Sequence, residues 1–139
     1  MLQSGTVLQN RYRIIKPLGE GGMGAVYHAW DNRLNIPVAL KEMFAQPDLS
    51  AENLTQLQEQ FRQEAIILAR LEHPNLVGVT DFFQERESSY LVMKFVEGDS
   101  LAVRINRQGS LQEAQVLEWA EQLLDALSYC HSRGIIHRD

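Results

Sequence analysis

Five short segments between residues 12 and 96 carry the apolar and β-branched pattern of β-strands joined by polar turns. The predicted strands cover residues 12–18, 25–30, 38–41, 76–83 and 90–96. Polar or charged turns at 31–35 and 84–89 separate neighbouring strands. Connections this short predict antiparallel pairing, because a parallel crossover needs a dozen or more residues.

The side-chain period of two gives each predicted strand two distinct faces. In the strand at 25–30, one face carries Val26, His28 and Trp30, and the other carries Ala25, Tyr27 and Ala29. In the next strand, Lys41 shares a face with Ala39, opposite Val38 and Leu40. Because alanine is small, this face leaves room beneath the lysine.

A helical pattern runs from Ser50, a residue type that caps helix N-termini, to a point before Pro74. Its apolar stripe consists of Leu57, Phe61, Leu68 and Leu71. One position of the regular helical repeat within this stripe is polar, and that position is Glu64.

Glu64 has two interpretations. A carboxylate within an apolar stripe is costly to desolvate unless it is paired, and Lys41 on the neighbouring strand is the natural partner. Alternatively, Glu64 lies at the edge of the stripe and reaches solvent. The spacing of residues alone leaves both interpretations open.

Two more helices are predicted after residue 99. A short one runs from about Ser100 to Gln108 and stops at Gly109. The next opens with the capping box 110–113, ends at Gly134, and carries an apolar stripe of Val116, Ala120, Leu123, Leu127 and Cys130. Cys130 is therefore expected to be a packed core thiol and not a nucleophile.

The composition is that of an ordinary globular protein with an acidic balance. The net charge of −5 argues against a nucleic-acid-binding surface. No apolar run is long enough to cross a membrane, and residues 1–4 lack the basic and apolar regions of a signal peptide. The single cysteine cannot form an internal disulfide, which favours a reducing compartment, and we expect a cytoplasmic location.

The glycine-rich stretch 19–27 contains the pattern Gly-x-Gly-x-x-Gly. Residues 25–30 read as a strand, whereas a dinucleotide-binding fingerprint needs a helix there to hold the pyrophosphate. A P-loop would need Gly-Lys-Ser/Thr, which is absent. A glycine turn between two strands is instead typical of a flap over phosphates.

Four motifs occur in the order that protein kinases use: the glycine flap, Val38-Ala39-Leu40-Lys41, a helix carrying Glu64, and the terminal His137-Arg138-Asp139. From about Arg11 onward the chain resembles the protein kinase family, and Gly21–Tyr27 is similar to bacterial kinases of the eukaryotic Ser/Thr type. The resemblance implies an α+β fold with an N-lobe at 11–93, a hinge at 94–98 and an incomplete helical C-lobe at 99–139. The N-lobe would hold an antiparallel sheet of about five strands and one helix, the C helix, with ligands in the cleft between the lobes.

The resemblance also implies roles for individual residues. Triphosphate contacts fall on the flap residues Gly19, Glu20, Gly21, Gly22 and Gly24. Adenine contacts fall on Val26, Ala39, the gatekeeper Met93, the carbonyl of Lys94 and the N–H of Val96. The catalytic set is Lys41 on the α- and β-phosphates, Glu64 orienting it, and Asp139 positioning the attacking hydroxyl. This correspondence favours the Lys41–Glu64 pair over the solvent-exposed alternative.

The activity implied is ATP-dependent transfer of the γ-phosphate to Ser/Thr hydroxyls of protein substrates, with Mg²⁺ as the metal. The family pattern continues beyond Asp139 with the metal-holding asparagine and Asp-Phe-Gly, which this sequence lacks. We therefore expect this chain to be the front part of a kinase domain and to be inactive alone. Kinases of this style are often tethered by a downstream membrane helix, and such a helix would anchor the full-length protein to a membrane. The alternative is a non-catalytic, kinase-like nucleotide-binding or regulatory module.

Overall fold

The computed structural model describes residues 1–21, 24–44, 51–85 and 88–136. Within these residues the strands are β1 Val7–Leu8, β2 Tyr12–Gly21, β3 Gly24–Asp31, β4 Ile36–Met43, β5 Val79–Glu85 and β6 Ser88–Lys94. The helices are α1 Ala51–Leu68, α2 Leu101–Gln108 and α3 Glu113–His131. The predicted α+β class is confirmed, and the described sheet has six strands because the short β1 adds to the five predicted.

The sheet is antiparallel throughout, with the strand order β1-β2-β3-β4-β6-β5. It curls so that β2 approaches β5 from the opposite edge. Arg11, just before β2, pairs with Asp31 at 2.7 Å and with Asp81 on β5 at 3.2 Å. The Tyr12 hydroxyl donates a hydrogen bond to the same Asp81 carboxylate at 2.6 Å.

The concave side of the curl holds the main hydrophobic core. Its buried members are Leu8, Tyr12, Ile14, Ala25, Tyr27, Ala29, Val38, Leu40, Tyr90 and Val92. These residues alternate along β3 and β4 with less buried ones, which confirms the predicted division of each strand into two faces.

A carboxylate is buried at the edge of this core. Glu42 is 5% exposed, and it accepts hydrogen bonds from the hydroxyls of Tyr27 at 2.8 Å and Tyr90 at 3.0 Å. Tyr27 in turn accepts a hydrogen bond from the N–H of Leu2. Burial raises the pKa of Tyr27 to about 12, so both its hydrogen-bonding roles are kept at neutral pH.

Helix α1 packs on the opposite face of the sheet, over β5 and β6. Phe61 and Ala65 are buried against Leu91, and the rings of Phe61 and Phe82 lie 5.8 Å apart. The helix ends at Leu68, earlier than the pattern up to Pro74 predicts. The predicted cap Ser50 lies outside the described residues.

The chain divides into two compact units. The first comprises Met1–Arg70 and Gly78–Phe95, and the second comprises Leu71–Val77 and Val96–Asp139. Within the second unit the segment Leu71–Val77 packs on α3, since His73 Nε2 lies 3.0 Å from the carboxylate of Asp125.

The ends of α2 follow the prediction, whereas the start of α3 does not. Ser100 Oγ accepts the N–H of Val103, and Gly109 has φ of 77° at the end of α2. Helix α3 begins with Gln112 at its N-cap, which makes no side-chain capping bond. The predicted capping box is therefore wrong: Ser110 precedes the N-cap by two residues, too far for its hydroxyl to reach the first turn.

Helix α3 buries little of its apolar surface. Cys130 is buried as predicted, together with Ala126, but Val116, Leu123 and Leu124 are each about half exposed or more. No described helix is both long and apolar enough to cross a membrane.

Candidate nucleotide-binding site

The glycine stretch forms the end of the β2–β3 hairpin. Gly19 pairs with Val26, Glu20 with Ala25 and Gly21 with Gly24. Strand β3 begins at Gly24, so the glycines join two strands and do not lead into a helix. This confirms the distinction from a dinucleotide-binding fingerprint. Gly22 lies outside the described residues.

The described glycines of this hairpin meet different surroundings. A Cβ atom on Gly19 or Gly21 would meet no atom within 4 Å, so their backbone faces open space. A Cβ atom on Gly24 would collide with the backbone carbonyl oxygen of Glu42. Gly24 is thus required by the close pairing of β3 with β4, a packing role that the sequence motif alone does not reveal.

The registers of three strands place five side chains on one face of the sheet, which we call the site face: Val26, His28, Ala39, Lys41 and Met93. Val26 is opposite Lys41, and Ala39 is opposite both His28 on β3 and Met93 on β6. Residues directly opposite in an antiparallel pair share a face. Lys41 is exposed there, while the other four are half-buried.

Lys41 and Glu64 do not form an ion pair in this structure. Both side chains are exposed, and no ion pair joins them within the part of the chain that the structure describes. The expected pair is therefore absent from this structure, in which Glu64 is exposed, and the role of Glu64 in orienting Lys41 stays a prediction. The cause is the orientation of α1, which buries Ala65 and Phe61 and leaves Glu64, about 100° around the helix from Ala65, at the margin.

The remaining predicted contacts lie around the end of β6 and at the C-terminus. Lys94 is exposed, and its N–H donates a hydrogen bond to the carbonyl of Gly78 at 2.9 Å. Val96 is 65% exposed. Asp139, with its neighbours His137 and Arg138, lies outside the described residues.

Sequence reasoning did not single out His28 as a site residue. Its imidazole stacks on Phe95, with the ring centroids 4.2 Å apart and the planes inclined by 12°. Its Nε2 is buried and has no hydrogen-bond partner among the described residues. The available signal was its place on the same face as Val26, two residues along β3.

Glu42 was also missed. The signal for it was a carboxylate on the same face of β4 as the buried Val38 and Leu40.

No cluster of three or more His, Cys, Asp or Glu side chains that could hold a metal ion occurs among the described residues.

Comparisons with known proteins agree with this geometry. The family model of the protein kinase domain matches residues 12–139. The chain is 37% identical to a probable serine/threonine-protein kinase, PknB, of Lactococcus lactis, covering 100% of this chain and 22% of that protein. It is 36% identical to the serine/threonine-protein kinase PrkC of Bacillus subtilis, covering 97% of this chain and 20% of that one.

Among solved structures, the PpkA-294 apo form superposes with a TM-score of 0.86 at 32% identity. The match covers 100% of this chain and 54% of that one. The chain thus spans about a fifth of these two curated relatives and about half of the solved one. With a family model matched over nearly its whole length, the chain belongs to the protein kinase family.

Proposed function

We propose that this chain forms the ATP-binding part of a protein kinase that transfers the γ-phosphate of ATP to Ser or Thr hydroxyls of proteins. The observation that carries the proposal is the place of Lys41, an exposed cation directly opposite Val26 and beside a hairpin whose Gly19 and Gly21 face open space. A triphosphate needs both a cation and unobstructed backbone N–H groups.

In the proposed complex, Val26 and Ala39 cover the adenine and Met93 lies behind it. The carbonyl of Lys94 and the N–H of Val96 bind the adenine edge. Glu20 and Gly22 complete the flap over the phosphates together with Gly19, Gly21 and Gly24. Lys41 donates hydrogen bonds to the α- and β-phosphates, where its charge offsets theirs.

The proposed chemical step is an in-line displacement at the γ-phosphorus. The substrate hydroxyl oxygen forms a bond to that phosphorus while the bond to the bridging β,γ-oxygen breaks, and ADP leaves. Asp139 positions the hydroxyl and accepts its proton. Mg²⁺ would neutralise phosphate charge, as it does in this family. Among the described residues, no cluster of three or more His, Cys, Asp or Glu side chains is placed to hold it.

We infer that Lys41 and Glu64 pair only in the active state, in which Glu64 holds the lysine against the phosphates. Their unpaired state in this structure is compatible with a resting state of α1. The same observation favours a second candidate function, a kinase-like module that binds nucleotide without transferring phosphate.

Two measurements test these candidates. The first is ATP affinity of the chain by calorimetry, with Lys41→Met expected to weaken binding. The second is phosphotransfer to a Ser/Thr peptide by this chain and by a fusion that continues it with the rest of the PknB relative's kinase domain. The kinase proposal expects the fusion to transfer phosphate and its Lys41→Met form not to.

The outcomes separate the possibilities. ATP binding without transfer by either protein would favour the non-catalytic module. A folded chain that binds no adenine nucleotide would overturn both candidates. Transfer by the Lys41→Met fusion at the wild-type rate would remove Lys41 from its assigned role.

A further inference from the structure

The side chain of His28 connects the site face with the backbone that follows β6. Strand β6 ends at Lys94, so Phe95 lies just beyond the hydrogen-bonded ladder. Its ring nevertheless has a fixed partner in His28, at a centroid distance of 4.2 Å and nearly parallel. Phe95 stands between Lys94 and Val96, the two residues whose backbone groups are proposed to bind adenine.

Hydrogen bonding of Nε2 does not explain why a histidine occupies position 28. Buried polar atoms almost always have a partner, yet Nε2 of His28 has none among the described residues. What the ring provides is a flat surface against Phe95, and stacked aromatic pairs stabilise their geometry beyond simple area burial.

The backbone on the N-terminal side of Phe95 is already held. The N–H of Lys94 donates to the carbonyl of Gly78, and Lys94 pairs with Val38 across β4 and β6. The stack on His28 therefore supplies the next fixed point along the chain, one residue further on. These two successive restraints limit rotation of the peptide unit between Lys94 and Phe95, which carries the Lys94 carbonyl.

We propose that His28 is a positioning residue for base recognition, which holds the backbone of residues 94–96 through Phe95 in the register that selects adenine. The inference rests on the proposed nucleotide binding. Adenine presents an amino donor where guanine presents a carbonyl acceptor, so a backbone carbonyl held in place accepts the first and opposes the second. Loosening that backbone should reduce the preference for adenine.

The test measures the affinities of ATP and GTP for the chain and three single variants. His28→Leu fills similar space without a flat ring, His28→Phe keeps a flat ring without either nitrogen, and Phe95→Ala removes the partner. We expect His28→Leu and Phe95→Ala to lower ATP affinity about three- to tenfold and GTP affinity less than about twofold. His28→Phe should keep the wild-type ratio of ATP to GTP affinity.

Two controls separate positioning from general destabilisation. Trp30→Leu removes another aromatic ring from the same face of β3, where its Nε1 donates to Asn35, and should leave the ratio unchanged. The double variant His28→Leu/Phe95→Ala should have the ratio of either single variant, because both remove one interaction.

The proposal is overturned if His28→Leu leaves the ratio of ATP to GTP affinity unchanged, whether or not both affinities fall. It is also overturned if His28→Phe loses the preference as His28→Leu does, because the imidazole nitrogens would then act directly. If His28→Leu does not fold, Phe95→Ala carries the same test. A wild-type chain without affinity for either nucleotide would refute the proposed function instead.

Discussion

The backbone of Gly24 lies so close to the carbonyl oxygen of Glu42 that a Cβ atom on residue 24 would overlap with it. The atom in the way belongs to the backbone of β4, which pairs with β3 throughout this region and cannot move alone. Gly24→Ala should therefore destabilise the fold by about 2–3 kcal/mol, as overpacking does elsewhere. Urea denaturation followed by circular dichroism measures this change.

Gly19→Ala is the matched control, since a Cβ atom there meets no atom within 4 Å. Its stability should change by less than about 0.5 kcal/mol. Its ATP affinity should nevertheless fall, because a side chain would hold the flap backbone away from the phosphates. Equal destabilisation by the two substitutions would contradict the assigned difference between the two glycines.

Local patterns predicted the parts of this fold that local interactions determine. The faces of β3 and the ends of α2 were predictable because alternation and capping involve residues only a few positions apart. The curl of the sheet was not, since it brings together residues far apart in the sequence, such as Arg11 and Asp81, which are 70 positions apart. The capping box failed because its sequence fits a helix start that α3 does not use.

The candidate site divides in the same way. Residue pattern placed Lys41 beside Ala39 on one face, and the strand registers agree. The position of Glu64 could not be predicted, because it depends on which side of α1 packs against Leu91. The stack of His28 on Phe95 required the path of the chain after β6, which no periodicity describes.

Because Lys41 and Glu64 are unpaired in this structure, substitutions at the two residues should affect ATP binding differently. In the chain, Lys41→Met should lower ATP affinity about tenfold or more through loss of charge-assisted hydrogen bonds to phosphate. Glu64→Gln should change ATP affinity less than about twofold, because the carboxylate does not contact Lys41 in this structure. Calorimetric titration with ATP distinguishes the two.

In the fusion with the rest of the PknB relative's kinase domain, Glu64→Gln should instead reduce phosphotransfer strongly, since the pair is proposed to form in the active state. The isosteric amide keeps the size of the side chain and removes only its charge. If Glu64→Gln weakened ATP binding by the chain as much as Lys41→Met does, the pair would already be formed there.

The Arg11–Asp31 pair makes the stability of the fold depend on pH in the acid range. Hydrogen bonding to the Arg11 guanidinium, together with backbone N–H groups of Leu34 and Arg33, lowers the pKa of Asp31 below its ordinary value of 3.8. The stabilisation is therefore fully present above pH 3.8 and is lost as the pH falls through the lower folded-state pKa.

Asp31→Asn removes this carboxylate and should cost about 3 kcal/mol at neutral pH, because Arg11 loses its nearly buried partner. The variant should also lose stability less steeply than wild type below pH 4. Glu59→Gln is the control. Glu59 and its partner Arg62 both lie on the surface, where an ion pair contributes little, so this substitution should change stability little. Parallel slopes for wild type and Asp31→Asn in acid would contradict the assignment.

The exposed apolar face of α3 should affect the behaviour of the chain in solution. Leu117 and Leu124 are 57% and 64% exposed, and Val116 and Leu123 add to the same helix surface. Apolar surface of this extent favours self-association. Leu117→Lys/Leu124→Lys should therefore shift the chain toward monomer in sedimentation velocity. The control Glu118→Lys makes the same change in net charge at an exposed position about 100° or more around the helix from these side chains, and should leave association unchanged. A wild-type chain that is monomeric at about 0.1 mM with a sharp cooperative melt would contradict this prediction, since two-state unfolding without association is the behaviour of a covered core.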